Sequence, residues 1–178
     1  MKKRIISILC ALALCLGLLP TVALADNPTT LTVGGTNVLD GGCWKTNESG
    51  ILTTEGASES DYNVKYDSAT GTLTLKDATI NGTNTTGHVG AGIYAEGDLT
   101  IVLEGSSTVT GVQDPNGESQ SIRVSGNLTI RGGGSLTAQG ADTSDGSSYG
   151  IFVTGSFTQQ SGSVTASGGN VSGNYNST

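Results

Sequence analysis

Apolar and polar residues alternate over short stretches of this chain, and those stretches recur at a fixed distance. In Leu99-Thr100-Ile101-Val102-Leu103, the residues Leu99, Ile101 and Leu103 take one side, and Thr100 and Val102 the other. A period of two predicts a strand with one buried face. On the longer scale, Gly92-Ile93-Tyr94-Ala95, Ser121-Ile122-Arg123-Val124 and Gly150-Ile151-Phe152-Val153 are three versions of one segment. Their isoleucines, Ile93, Ile122 and Ile151, lie 29 residues apart each time. A second signal follows each, anchored on Leu99, Leu128 and Phe157, again spaced by 29. A third follows in Thr108-Val109-Thr110, Ser135-Leu136-Thr137 and Ser163-Val164-Thr165, with earlier copies at Thr72-Leu73-Thr74-Leu75 (second signal) and Thr79-Ile80 (third).

Each period thus predicts three short strands. One unit has too little apolar surface for a core of its own, but stacked units bury their inward residues against one another. The expected fold is all-β: a single-stranded right-handed parallel β-helix with three short strands per 29-residue coil. The hand follows the general rule for crossovers. An antiparallel sandwich also has short, regularly spaced strands, yet three signals recurring in phase favour the solenoid. Three interior columns are expected: Ile93, Ile122 and Ile151; Leu73, Leu99, Leu128 and Phe157; and Ile80, Val109, Leu136 and Val164. Gly105, Gly111, Gly126, Gly140, Gly155 and Gly162 fall at the corners, where glycine takes positive φ freely.

The ends depart from the repeat. Lys2, Lys3 and Arg4, an apolar run from Ile5 to Leu19, and Ala23-Leu24-Ala25 read as a secretory signal over residues 1–25. Residues 26–70 read as an N-terminal β cap. It holds a strand at Leu31-Thr32-Val33, Trp44 to cover the first coil, and Ser68-Ala69-Thr70-Gly71 as a hairpin connection. Residues 71–178 carry the coils. The far end shows no equivalent cap, so the last residues are either a minimal cap or lead into a longer protein.

Composition narrows the chemistry. Gly, Ser and Thr make up about two in five residues, and only 13% are charged. Removing Lys2, Lys3 and Arg4 with the leader takes the formal net charge from −7 to −10. Such a chain lacks the basic footprint that nucleic acid requires. An anionic ligand would need a bridging cation, and Ca²⁺, held by carboxylate and carbonyl oxygens, is the usual exported one. Cys10 and Cys15 leave with the leader and Cys43 stays alone, so neither a disulfide nor a zinc cluster is expected.

Two sets of residues are candidates for binding. Tyr94, Arg123 and Phe152 are the outward residues of the Ile-x-Ala/Val segments, and in register they stack about 4.8 Å apart. Aromatic faces stack on sugar rings, and Arg hydrogen-bonds hydroxyls or a carboxylate. The alternative is a ladder packed only on itself, with Arg123 in cation–π contact. The second set is Asp114, Asn116 and Glu118, with Asp142 and Asp145 in the next long loop. Their oxygen donors suit calcium but lack the twelve-residue EF-hand pattern, and a solvated turn is the alternative. All lie between a third strand and the next first strand, so they should gather on one edge.

Catalysis is not expected. Beyond the cap the basic residues are Lys76, Arg123 and Arg131, apart from His88, too few for lyase chemistry. Glu96 and Asp98 are neighbours, but the next coil has Ser125 and Asn127 there, so no second carboxylate pair converges for hydrolysis.

Tyr66-Asp67, Thr70-Gly71-Thr72-Leu73-Thr74-Leu75 and Gly92-Ile93-Tyr94-Ala95-Glu96-Gly97-Asp98-Leu99-Thr100-Ile101 resemble exported proteins of clostridia and related Firmicutes. So do Tyr149-Gly150-Ile151 and Ser125-Gly126-Asn127-Leu128. The likeness is to right-handed β-helix carbohydrate-binding domain-containing proteins and covers roughly residues 62–168. It implies cellulose or pectin binding and bound calcium. Arg123 stands where that pattern has an aromatic, and Ser121 where it has Gly. The motifs are mostly structural, so the likeness raises the binding expectation without naming calcium ligands.

The expectation is therefore a non-catalytic module, secreted or on the cell surface. It would bind plant cell-wall, host or microbial polysaccharide, with Ca²⁺ as its one candidate cofactor and no membrane insertion after leader removal. A structural stalk or adhesin segment is the alternative, and a polysaccharide lyase or hydrolase the third reading.

Overall fold

A computed structural model describes residues 27–83, 90–144 and 146–173. The leader segment, His88, Asp145 and the final residues 174–178 lie outside the described residues. The chain is a parallel β-solenoid of about three turns. Its first strands are β1 (Thr30–Val33), β2 (Thr36–Asn37), β3 (Gly42–Thr46), β4 (Leu52–Thr53) and β5 (Val64–Asp67). The coils begin with β6 (Thr72–Lys76) and β7 (Thr79–Asn81). The next coil is β8 (Ile93–Glu96), β9 (Leu99–Glu104) and β10 (Ser106–Thr110), and after it β11 (Ser119–Ser125), β12 (Leu128–Gly132) and β13 (Ser135–Gln139). The last is β14 (Ser148–Val153), β15 (Phe157–Gln159) and β16 (Ser163–Ser167).

Three sheets form the walls, in the orders β14-β11-β8-β1-β2, β15-β12-β9-β6-β5-β3-β4 and β16-β13-β10-β7. Every pairing between coils is parallel. The strands obey the alternation that predicted them: in β9, Leu99, Ile101 and Leu103 are buried, and Thr100 and Val102 are half-exposed. Threonine fills the outer face, with Thr72, Thr100, Thr129 and Thr158 in one column and Thr79, Thr108, Thr137 and Thr165 in another. Its β-branch suits a pleated, half-exposed surface, and neighbours in such columns support each other across strands.

The Ile93, Ile122 and Ile151 column forms as expected. The other two are displaced by two residues at one step each. Leu73 lies opposite Ile101, not Leu99. Val109 lies opposite Ile80 and Ala138, whereas Leu136 lies opposite Ser107 and Val164. A shift of two keeps every side chain on its own face, so hydrophobic alternation cannot detect it. Corner length decides instead.

The corners carry side-chain ladders that lock this register. The Asp98 carboxylate accepts the Asn127 backbone N–H at 2.8 Å, and Asn127 Oδ1 accepts the Ser156 N–H at 2.9 Å. Asp77, at φ +48°, accepts the Ser106 N–H at 2.9 Å. Of the six expected corner glycines, Gly105 and Gly162 take positive φ. The other four serve for a different reason, the closeness of stacked coils. A Cβ on Gly126 would lie 2.4 Å from the Gly97 carbonyl oxygen.

The first strands close the lower end. β1 pairs antiparallel with β8, and β5 with β6, around the Asp67–Thr72 turn. β3 adds to β5 and places Trp44, 8% exposed, in the core. The loop after β3 covers the edge of β7, where the Asn81 N–H donates to the Gly50 carbonyl at 3.1 Å.

Candidate functional site

The register brings Tyr94, Arg123 and Phe152 into one outward row on β8, β11 and β14. The three members differ in exposure. Tyr94 is only 7% exposed, so its ring is not an open platform. Its hydroxyl donates to Glu96 Oε1 at 2.6 Å, and the Thr30 hydroxyl donates to Glu96 Oε2 at 2.8 Å. Burial, then the bonded Glu96 carboxylate, push the Tyr94 phenol up to about 12, with the Arg123 charge pulling the other way.

Arg123 and Phe152 are half-buried. The guanidinium carbon lies 5.4 Å from the Phe152 ring centroid, within cation–π range. Among the described residues Arg123 has no salt bridge, and its Nε is buried without a hydrogen-bond partner.

The outer side of the row holds a residue the sequence reading passed over as a ligand. Tyr149 is 39% exposed, and its ring centroid lies 5.4 Å from that of Phe152, the planes tilted by 56°. Strict alternation would send residues three apart to opposite faces. The ladder between β11 and β14 is interrupted at Ser121 and Gly150, and this lets both rings meet. At Gly150 a Cβ would lie 2.5 Å from the Ser167 nitrogen and 2.6 Å from the Ala138 oxygen, so the strand backbone lies close against the neighbouring wall there. A Gly between two aromatics at this spacing was the available signal.

Gln120 sits one coil below Tyr149, 1% exposed. Its amide donates to Glu118 Oε2 at 3.3 Å, while its Oε1 is buried without a partner. Buried polar atoms are normally satisfied. Here a donor on Arg123 and an acceptor on Gln120 are left over on one strand, below a half-open aromatic pair.

The calcium candidates lie in loops that stack, since a Cβ on Gly146 would meet the Gly117 carbonyl oxygen at 2.3 Å. Among the described candidates, Asp114 and Asp142 already serve the backbone. Asp114 is 6% exposed, and its Oδ1 accepts the N–H groups of Asn116 and Glu118 at 2.9 and 2.8 Å. The Asn116 amide donates to Asp114 Oδ2 at 3.3 Å. Asp142 accepts the Asn170 N–H at 2.7 Å. The Asp114 carboxylate thus closes a turn within this run. Among the described residues no group of three or more His, Cys, Asp or Glu is placed to hold a metal.

No family model, curated protein or solved structure matches this chain.

Proposed function

We propose that the chain is a non-catalytic polysaccharide-binding module whose contact surface is the outer face of β11 and β14. The observation that carries this reading is the tilted pairing of the accessible Tyr149 and Phe152 rings, with the half-buried Arg123 guanidinium against Phe152. Sugars present apolar ring faces beside hydroxyls that both donate and accept. Two tilted rings supply the stacking surface, and the guanidinium supplies hydroxyl bonds without needing a charged ligand. A neutral glycan also avoids repulsion from a chain of net charge −7. Calcium is not part of this reading, because Asp114 is occupied by its own turn. The resemblance to exported carbohydrate-binding β-helices points the same way, and the leader-like N-terminus supports export.

The test is retention on cellulose, pectin and mucin glycans, with and without a Tyr149→Ala, Phe152→Ala double substitution. Retention that the double substitution abolishes, at unchanged melting temperature, is the expected result. Folded protein that is retained on none of these glycans would instead favour a structural stalk or adhesin segment.

A further inference from the structure

The angle between the two outer rings selects among physical forms of glycan. Tyr149 and Phe152 lie on β14 with their centroids 5.4 Å apart and their planes tilted by 56°. A sugar stacks by laying its apolar ring face along an aromatic face. A crystalline polysaccharide presents a flat surface, which rests on several rings at once only where those rings are coplanar. At a tilt of 56°, a plane laid on one of these rings meets the other steeply.

The surroundings add to the unevenness. Tyr149 is 39% exposed, whereas Tyr94 in the same wall is 7% exposed and bonded to Glu96. The Arg123 guanidinium lies over the Phe152 ring from the coil below, its carbon 5.4 Å from the centroid. Phe152 thus has a ring beside it on its own strand and a cation over it from β11. This is an angled recess, not a platform. A flatter wall does exist, formed by β7, β10, β13 and β16. Its outward column Thr79, Thr108, Thr137 and Thr165 is flanked by Ser106, Ser135 and Ser163. Those four strands hold no charged residue and no aromatic ring, so the stacking groups sit on the uneven wall instead.

Resting on the glycan-binding reading, we propose that the site takes one sugar unit of a single flexible glycan chain, seated between Tyr149 and Phe152, and not the face of a crystalline polysaccharide. The unit stacks on Tyr149, the more open ring, and its edge faces Phe152. Arg123 is the adjacent donor for its hydroxyls. A free chain turns about its glycosidic bonds until one unit meets the recess at the required angle. A unit locked in a lattice cannot leave the plane of its neighbours. The recess is held from below, because both the ladder break at Ser121 and Gly150 and the Arg123 contact lie between β11 and β14. A further coil above β14 would leave them in place.

The experiment presents the same sugar chemistry in two physical forms. The purified protein is sedimented with microcrystalline cellulose and with crystalline chitin. It is also run in affinity electrophoresis through hydroxyethyl cellulose, glycol chitin, soluble pectin and mucin glycans. Tyr149→Ala and Tyr149→Phe are run beside it, each checked by circular dichroism. The expected result is retardation by at least one soluble chain and no sedimentation with either crystal. Tyr149→Ala should weaken that retardation by at least about tenfold, whereas Tyr149→Phe keeps most of it. Sedimentation with crystalline cellulose or chitin at least as strong as binding to its soluble form overturns this inference and leaves the glycan-binding reading standing. Retardation that Tyr149→Ala leaves unchanged overturns it as well. Folded protein that binds neither form overturns both. The comparison of forms decides even if a variant does not fold.

Discussion

Arg123 lies directly opposite Phe152 in the ladder between β11 and β14, its guanidinium carbon 5.4 Å from the ring centroid. That contact is worth about 0.5–1 kcal/mol at a partly exposed position. Against it stands the buried Nε with no partner, whose desolvation costs about 1–3 kcal/mol. Arg123→Met keeps the stem and removes the unsatisfied donor. On these figures stability should stay level or rise by up to about 2 kcal/mol, while glycan retention falls. Urea unfolding read beside affinity electrophoresis separates the two effects. A large loss of stability would mean that Arg123 serves the fold and not a ligand.

The corner ladder gives a second prediction. Asn127 donates to the Asp98 carboxylate on one side and accepts the Ser156 N–H on the other. Asn127→Ala removes the Asn127 side-chain bonds at a position that is exposed to water. The expected loss is about 1–2 kcal/mol, read from the urea midpoint. Asp98→Asn keeps an acceptor for the Asn127 N–H and should cost less.

These two cases also show what the sequence could and could not carry. The Ile93, Ile122 and Ile151 column was legible because each coil keeps the same length between its first strands. The displacement of Leu73 onto Ile101 was not, because a slip of two leaves the inward set inward and only the corner geometry resists it. Tyr149 was left out of the candidate row because alternation assigns it away from Phe152, and only the break in the ladder at Gly150 brings the two rings together. The Asp114 run is ambiguous in the sequence for a related reason. Closely spaced oxygens suit a cation or a turn equally well, and only coordinates show the Asn116 and Glu118 N–H groups inside the carboxylate's reach.

Cys43 should be a slow thiol. Burial pushes its pKa up, the Glu59 carboxylate that accepts its S–H pushes the same way, and Lys65 opposes them. A raised pKa means less thiolate at any pH below it, and thiolate is the reacting form. Alkylation at pH 8 should run slower than for an unperturbed cysteine of pKa about 8.5. Glu59→Gln removes the hydrogen-bonded charge and releases Lys65 from its ion pair, so the rate should rise. An unchanged rate would leave burial as the whole cause.

Alkaline stability should depend on Tyr94. Its phenol keeps the proton to about 12 in the folded chain, whereas an unfolded tyrosine loses it near pH 10, a figure of about that size being usual for the free side chain. The folded pKa is raised, so this contribution is fully present below about pH 10 and is lost as pH rises towards 12. Between those values the native state binds more protons than the unfolded one, and stability falls with pH. Tyr62 and Tyr66 are shifted upward by burial too and add slopes of the same sign. Tyr94→Phe should therefore flatten the decline between pH 9 and 11 without abolishing it, as followed by urea midpoints. A variant that declines as steeply as the parent would place the alkaline sensitivity elsewhere.

The interior column supplies the sharpest comparison. Ile122 is fully buried, with Ile93 below it and Ile151 above, whereas Ile151 is half-buried with a paired neighbour only below. Truncating Ile122 to Ala leaves a cavity walled on both sides and should cost about 2–5 kcal/mol. The same change at Ile151 opens towards solvent, which can relax into the gap, so it should cost about half as much in dilute protein. Urea midpoints of both variants test this. Equal losses at the two positions would mean that Ile151 is packed as tightly as Ile122.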